Sequence, residues 1–265
     1  MGSIGSFLSF ILSNLFMERC LGCGISIEWS GDDRDLVLPS GFPSGSADFF
    51  RKDHVFSPFR PVEMSARLLC RSCWLRLTPV FESASPEVRG VPVITPFRTT
   101  SLLLDTVKYL KYSGGKSAAV TLSWWMAEAM LHNIGGRDAL SGSGIKLVPV
   151  PLHPYRKRRR GYNQALLLAE NAGRRLGLPV RRDLITRVRR TRSQTKLTPE
   201  KRKRNVAGAF RPAGPPEGIL VLVDDIVTTG ETAGECVRVL EDSGCSVLAV
   251  LAAGNSLEEK EAGTE

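Results

Sequence analysis

The sequence predicts an α/β fold, a parallel sheet flanked by helices, preceded by a small cysteine-bearing module. From residue 145 onward, short apolar runs alternate with amphipathic stretches, the order that parallel strand-helix-strand units require. Residues 220–223 read Leu-Val-Leu-Val without polar alternation, as in a central strand buried on both faces. Four cysteines lie before residue 90, and Pro79, Pro86, Pro92 and Pro96 punctuate the junction that follows. These observations divide the chain into a module over 1–90, an α/β domain over 91–256 and a polar tail over 257–265.

The first 17 residues place Ile4, Phe7, Leu8, Ile11, Leu12, Leu15 and Phe16 on one helical face, which predicts a docking helix. Neither the basic start nor the small-residue cleavage site of a secretory signal precedes Glu18 and Arg19, and no stretch is long enough to span a bilayer. The expectation is a cytoplasmic protein without stable membrane insertion. Cys20 and Cys23, with Cys70 and Cys73, form two C-x-x-C pairs, the unit of tetrahedral thiolate coordination, so a structural Zn2+ site is expected. Disulfides compete with that reading, but they rarely persist in a reducing compartment. The long interval between the pairs carries a Gly-, Ser- and Asp-rich insertion over about 30–48 and also contains His54.

Helices are expected over 102–112 and 117–131, broken at Ser113-Gly114-Gly115. A strand over 145–150, a helix over 164–176, a strand over 219–223, a helix over 231–242 and a strand over 247–251 complete the domain. Cys236 falls on a helix, where it reads as a small packed hydrophobe.

The chemistry concentrates after the strand ending at Val223. Asp224 and Asp225 come first, then Thr228, Thr229 and Gly230, then a helix carrying Thr232 in its first turn. Ligands of open α/β sheets bind at this carboxyl edge. Gly230 allows a tight turn, and free N–H groups at a helix start favour an anion. Carboxylates would repel a lone phosphate, so the two acids suit ribose hydroxyls or a hydrated Mg2+.

The formal net charge of +9 is uneven: residues 156–204 hold 18 Lys or Arg against Glu170, Asp183 and Glu200. Such a concentration favours a polyanionic partner, a nucleic-acid backbone or a phosphate-rich small molecule. Residues 152–164 read as a basic loop beside the phosphate turn. Residues 191–210, polar and basic between apolar segments, read as a mobile flap that includes Arg202 and Asn205. His153, before Pro154, reads as a turn residue, and Tyr155 and Tyr162 as local packing. Within 156–204 Tyr162 alone is aromatic, so nucleic-acid binding there would be chiefly electrostatic.

The buried strand, paired acids and Thr-Thr-Gly turn resemble the phosphoribosyl pyrophosphate (PRPP) motif of type I phosphoribosyltransferases. In order, the paired C-x-x-C, V-P-V-P-L-H-P with R-G-Y-N-Q, Q-T-x-L with R-N-V-x-G-A-F, and V-D-D-x-x-T-T-G are together similar to the ComF family. That resemblance implies a zinc-ribbon module joined to a type I phosphoribosyltransferase domain, a bacterial origin and a cytoplasmic location. It implies PRPP contacts at Asp224, Asp225, Thr228, Thr229, Gly230 and Thr232, pyrophosphate contacts at Arg160, Asn163 and Gln164, and zinc on Cys20, Cys23, Cys70 and Cys73. Two functions follow. One is a glycosyltransferase that binds PRPP with Mg2+ and transfers ribosyl phosphate to a nitrogen acceptor. The other is a non-catalytic competence factor that binds single-stranded DNA through its basic face, with the DNA-uptake machinery as partner.

Overall fold

The computed structural model describes residues 86–112, 116–191 and 204–257. The N-terminal helix, the four paired cysteines, the insertion between them, Arg202 and the tail after residue 257 lie outside the described residues.

The elements in chain order are β1 (Glu87–Val88), β2 (Val91–Ile94), β3 (Phe97–Arg98), α1 (Ser101–Tyr112), α2 (Lys116–Asn133), β4 (Lys146–Pro149), α3 (Pro154–Arg160), α4 (Gln164–Leu176), β5 (Ile185–Arg187), β6 (Phe210–Pro212), β7 (Ile219–Val227), α5 (Glu231–Asp242) and β8 (Ser246–Asn255). The main sheet runs β1-β2-β8-β7-β4, with β3 also paired to β8. Its pairings are parallel except for the antiparallel β1 and β2. A separate antiparallel hairpin joins β5 to β6.

The apolar run predicted to be central is central: Leu220, Val221, Leu222 and Val223 are all fully buried between β4 and β8. Alternation along the strand sends Leu220 and Leu222 into one cluster with Cys236, Val237 and Leu240 of α5, and Val221 and Val223 to the opposite face. On the α5 side lies the β5–β6 hairpin; α2 and α4 pack together across the other face. Cys236 is a buried residue of that core, as its helical position suggested. Helix α1 buries Leu103, Thr106, Val107 and Leu110, the i, i+3, i+4, i+7 stripe of an amphipathic helix.

Two elements differ from the sequence expectation. Strand β7 runs four residues past its expected end at Val223, so Asp224 and Asp225 are strand residues, with Asp224 opposite Ala252 and Val227 opposite Asn255. Continued pairing to β8 outweighs the poor strand propensity of aspartate. The basic segment after β4 holds helix α3 rather than only a loop. Pro154 opens it, the His153 Nδ1 accepts from the Tyr155 N–H at 3.2 Å, and Gly161 closes it at φ 85°. None of its residues is buried. Capping, not an apolar stripe, defines this helix.

The outer edge of β4 is covered. The Leu147 N–H donates to the Pro179 carbonyl at 2.9 Å, and the Arg181 N–H donates to the Leu147 carbonyl at 2.8 Å. Among the described residues no helix is long and apolar enough to cross a membrane.

Candidate functional site

The carboxyl end of β7 carries the acids, and the pleat sends them to opposite faces. Asp225 turns toward α1, where Lys111 Nζ lies 3.0 Å from its Oδ2; the aspartate side chain is 6% exposed. Its Oδ1 accepts from the Ile226 N–H at 2.8 Å. The lysine contact is ionic rather than an aligned hydrogen bond, since Oδ2 has no hydrogen-bond partner. Asp224 lies on the α5 face, and its Oδ1 accepts from the Asp225 N–H at 2.8 Å. Burial first, then the Asp225 charge, pushes the Asp224 carboxyl up to about 7, against weaker opposing pulls from Lys111 and Arg187. Near neutral pH Asp224 is therefore partly protonated, while Lys111 lies against Asp225. The strand end opposes an incoming phosphate far less than two bare carboxylates would.

Beyond the acids, Gly230 adopts φ 72°, a left-handed turn that opens α5. A Cβ there would meet Val88 Cγ2 at 2.8 Å, so both conformation and space call for glycine. No side chain caps α5. Thr229 Oγ1 is buried without a hydrogen-bond partner, Thr228 is exposed and Thr232 is half-buried in the first turn of α5. A buried hydroxyl and an uncapped helix start point to an acceptor supplied from outside the chain.

The leaving-group residues suggested by sequence have local tasks. Asn163 caps α4, accepting from the Ala165 N–H at 3.1 Å, while its Nδ2 donates to the Val150 carbonyl at 3.0 Å. Gln164 is buried and its Oε1 accepts from Arg160 Nη1. The Arg160 guanidinium also lies 5.1 Å over the ring of Tyr112. The Tyr162 hydroxyl donates to the Leu110 carbonyl, so three neighbouring residues of α1 receive Tyr162, Asp225 and Arg160. Asn205 accepts at its carbonyl from Arg189 Nη2 at 3.1 Å. Val206, Ala209 and Phe210, which end the segment read as a flap, are buried.

Residues far apart in sequence complete the site. Arg187, at the end of β5, is 8% exposed, with its guanidinium 5.0 Å over the Phe210 ring and Nη2 donating to Thr191 Oγ1 at 2.5 Å. Arg156 Nη2 donates to the Thr191 carbonyl at 2.8 Å. Arg190 stacks 3.8 Å over Tyr155. His153 feels this field: burial first, then Arg187, Arg190, Arg156 and Arg158, lowers its pKa. Sequence reasoning missed Lys111 and Arg187: Lys111 lies between Leu110 and Tyr112 with no local motif, and Arg187 is one of many cations in the basic segment, close to Arg189 and Arg190.

Fold and site together define an open parallel α/β protein whose sheet ends in an acidic strand, a glycine-opened helix and a cluster of cations. The chain belongs to the family of competence protein F and DNA utilization protein YhgH. It is 33% identical over 196 residues to the Escherichia coli DNA utilization protein YhgH, covering 69% of this chain and 82% of that protein. With Haemophilus influenzae competence protein F it shares 36% identity over 130 residues, 46% of this chain and 57% of the relative. With Salmonella typhimurium YhgH it shares 42% over 149 residues, 54% and 63%. The chain thus spans less than two thirds of the length of these last two relatives. No protein-family model matches it. Among solved structures, orotate phosphoribosyltransferase from Aeropyrum pernix aligns at 18% identity and a TM-score of 0.29, over 63% of this chain and 85% of that one.

Proposed function

We propose that the α/β domain is a type I phosphoribosyltransferase-like unit that binds PRPP and transfers its ribosyl phosphate to a nitrogen nucleophile. The observation that carries this reading is the turn after β7: Gly230 at φ 72° before an uncapped helix, beside the unpartnered hydroxyl of Thr229. Thr228, Thr229, Gly230 and Thr232 would cradle the 5-phosphate through N–H and hydroxyl donors. Asp224 and Asp225, oriented by their own main chain, would accept from the ribose hydroxyls.

Transfer breaks the bond between the anomeric carbon and the pyrophosphate oxygen while the nitrogen forms its bond to that carbon, and pyrophosphate leaves with the electron pair. The acids face the positive charge that develops on the ribose ring, and the nearby guanidiniums face the negative charge on the leaving group. Mg2+ suits the hard carboxylate oxygens of the acid pair, with Asp225 Oδ2 already facing Lys111 Nζ at 3.0 Å. Asp224 and Asp225 would hold that ion with its waters, and it would neutralise leaving-group charge. Cys20, Cys23, Cys70 and Cys73 would hold a structural Zn2+.

The test is pyrophosphate release from PRPP with Mg2+ and a panel of bases and amines, comparing the wild type with Asp224→Asn/Asp225→Asn. The double variant is expected to lose turnover. Release that is unaffected by it removes the acids from the site.

A second reading, single-stranded DNA binding, draws on two exposed tyrosines near the basic cluster. Tyr112 is 75% exposed beside Arg160, and Tyr155 is 41% exposed beneath Arg190. These aromatic surfaces suit base stacking next to phosphate-binding cations. The relatives' names, competence and DNA utilization, accord with a role of this chain in DNA uptake alongside that machinery. Affinity for a single-stranded oligonucleotide is expected to fall steeply with salt and to weaken in Tyr155→Ala. Salt-independent binding rules out this face.

A further inference from the structure

We propose that Val88, the last residue of β1, is a positioning residue for the Thr228-Thr229-Gly230 turn, and that Gly230 and Gly234 are spaced to receive it. The two glycines stand four residues apart, about one helical turn, and share the face of α5 that meets the β1–β2 hairpin. A Cβ on Gly230 would lie 2.8 Å from Val88 Cγ2, and one on Gly234 would lie 3.2 Å from Val88 Cγ1. Gly230 has its left-handed conformation as a second reason to be glycine. Gly234 has none, because it lies inside α5 with helical backbone, where glycine is weaker than alanine. Space for the hairpin is the reason that remains.

The hairpin is shaped to deliver that side chain. Arg89 at φ 56° and Gly90 at φ 78° join β1 to β2, the two-residue left-handed turn that closes a tight hairpin. Among the described residues Arg89 is the one non-glycine with positive φ. Asparagine, aspartate or glycine is usual there, and an arginine persists in that conformation only where its surroundings fix it. Its stem lies along the same groove, with Cδ 3.5 Å and Cγ 3.6 Å from the position of a Gly234 Cβ. Val88 itself is 7% exposed and packs in one cluster with Val227, Ala233 and Val237. From the other end of the domain, Leu257 Cδ2 comes within 3.7 Å of the Gly230 Cβ position.

What this contact controls follows from how little else holds the turn. No side chain caps α5, and the Thr229 hydroxyl has no hydrogen-bond partner, so the path of the backbone alone aims the donors that would meet an anion. Val88 packed against Gly230 fixes that path before a ligand arrives. A preorganised set of donors binds more tightly than one the ligand must first order. The acids are placed differently, by the pairing of β7 with β8. Val88 therefore acts on the phosphate contacts and leaves Asp224 and Asp225 where they are. That the anion is the phosphate of a phosphoribosyl ligand rests on the phosphoribosyltransferase reading; the packing does not.

The experiment is calorimetric titration of the full chain with ribose 5-phosphate and, separately, with inorganic phosphate. It compares wild type, Val88→Ala, Val88→Thr, Gly234→Ala and Val88→Ala/Gly234→Ala, with Val237→Ala as a cavity in the same core further along α5. Affinity for ribose 5-phosphate is expected to fall roughly tenfold in Val88→Ala and in Gly234→Ala. It is expected to stay near wild type in Val88→Thr, which keeps the branched shape, and to recover in the double variant, where the new methyl group enters the space that Val88 leaves. Val237→Ala is expected to lower the thermal midpoint without lowering affinity. If Val88→Ala does not fold alone, Gly234→Ala against the double variant carries the test. Unchanged affinity in the folded single variants, an equal loss in Val237→Ala, or no recovery in the double variant overturns the positioning role, while binding by wild type upholds the phosphoribosyl reading. Wild type that binds inorganic phosphate in a Val88-dependent way, and ribose 5-phosphate no more tightly, supports the positioning role and sinks that reading. Wild type that binds neither overturns both.

Discussion

Lys111 and Asp225 connect the last turn of α1 to the end of β7 through a 3.0 Å ion pair, with the aspartate almost wholly buried. Removing the lysine leaves that carboxylate without its cation. Lys111→Met is expected to lower unfolding free energy by about 1–3 kcal/mol. A double-mutant cycle with Asp225→Asn, measured by urea denaturation, is expected to give a coupling energy of about 0.5–3 kcal/mol. Additive effects mean that the pair contributes no coupling.

Asp224 makes stability depend on pH in a defined direction. Its folded-state carboxyl is raised from 3.8 to about 7, so its contribution is fully present below the unfolded value and is lost as pH rises toward 7. Asp224→Asn removes that titration while keeping an oxygen to accept from the Asp225 N–H. The variant is expected to exceed wild type by on the order of 2 kcal/mol at pH 8, with the gain shrinking toward pH 4. Denaturation curves across this range check it; a gain independent of pH contradicts the assignment.

Gly230→Ala places a side chain at φ 72° and against Val88 Cγ2. The expected cost is about 1–3 kcal/mol of stability, together with loss of the thermal shift produced by ribose 5-phosphate. A variant with wild-type stability and ligand response shows that the turn tolerates a Cβ.

Metal analysis of protein purified under reducing conditions is expected to find about one Zn2+ per chain, from the four-thiolate set of Cys20, Cys23, Cys70 and Cys73. Cys70→Ser is expected to lower the content sharply. A folded, zinc-free wild type removes the structural-metal reading.

Strong local signals made several elements legible in the sequence. Helix α4 begins after the Asn163 cap and ends before Gly177, and α5 follows Gly230, so their bounds match the expectation of 164–176 and 231–242. The Leu220 to Val223 run identified the strand but not its length, because pairing with β8 carries two poor strand formers into the sheet. Helix α3 was hidden by five consecutive cations, Arg156 to Arg160, which bury nothing and leave no apolar rhythm. The acids and the Thr-Thr-Gly turn were visible as one contiguous motif. Lys111 and Arg187 were not, since each acquires its meaning only when chain segments distant in sequence converge.

The hydrogen bonds that Leu147 gives to the Pro179 carbonyl and accepts from the Arg181 N–H bear on how copies of this chain could associate. An unpaired parallel strand offers its main chain to any passing strand, the usual route to runaway edge-to-edge stacking. Here the polar groups of Leu147 are already engaged, so extension of the sheet by a second molecule at that position would first have to peel away the protein's own covering segment.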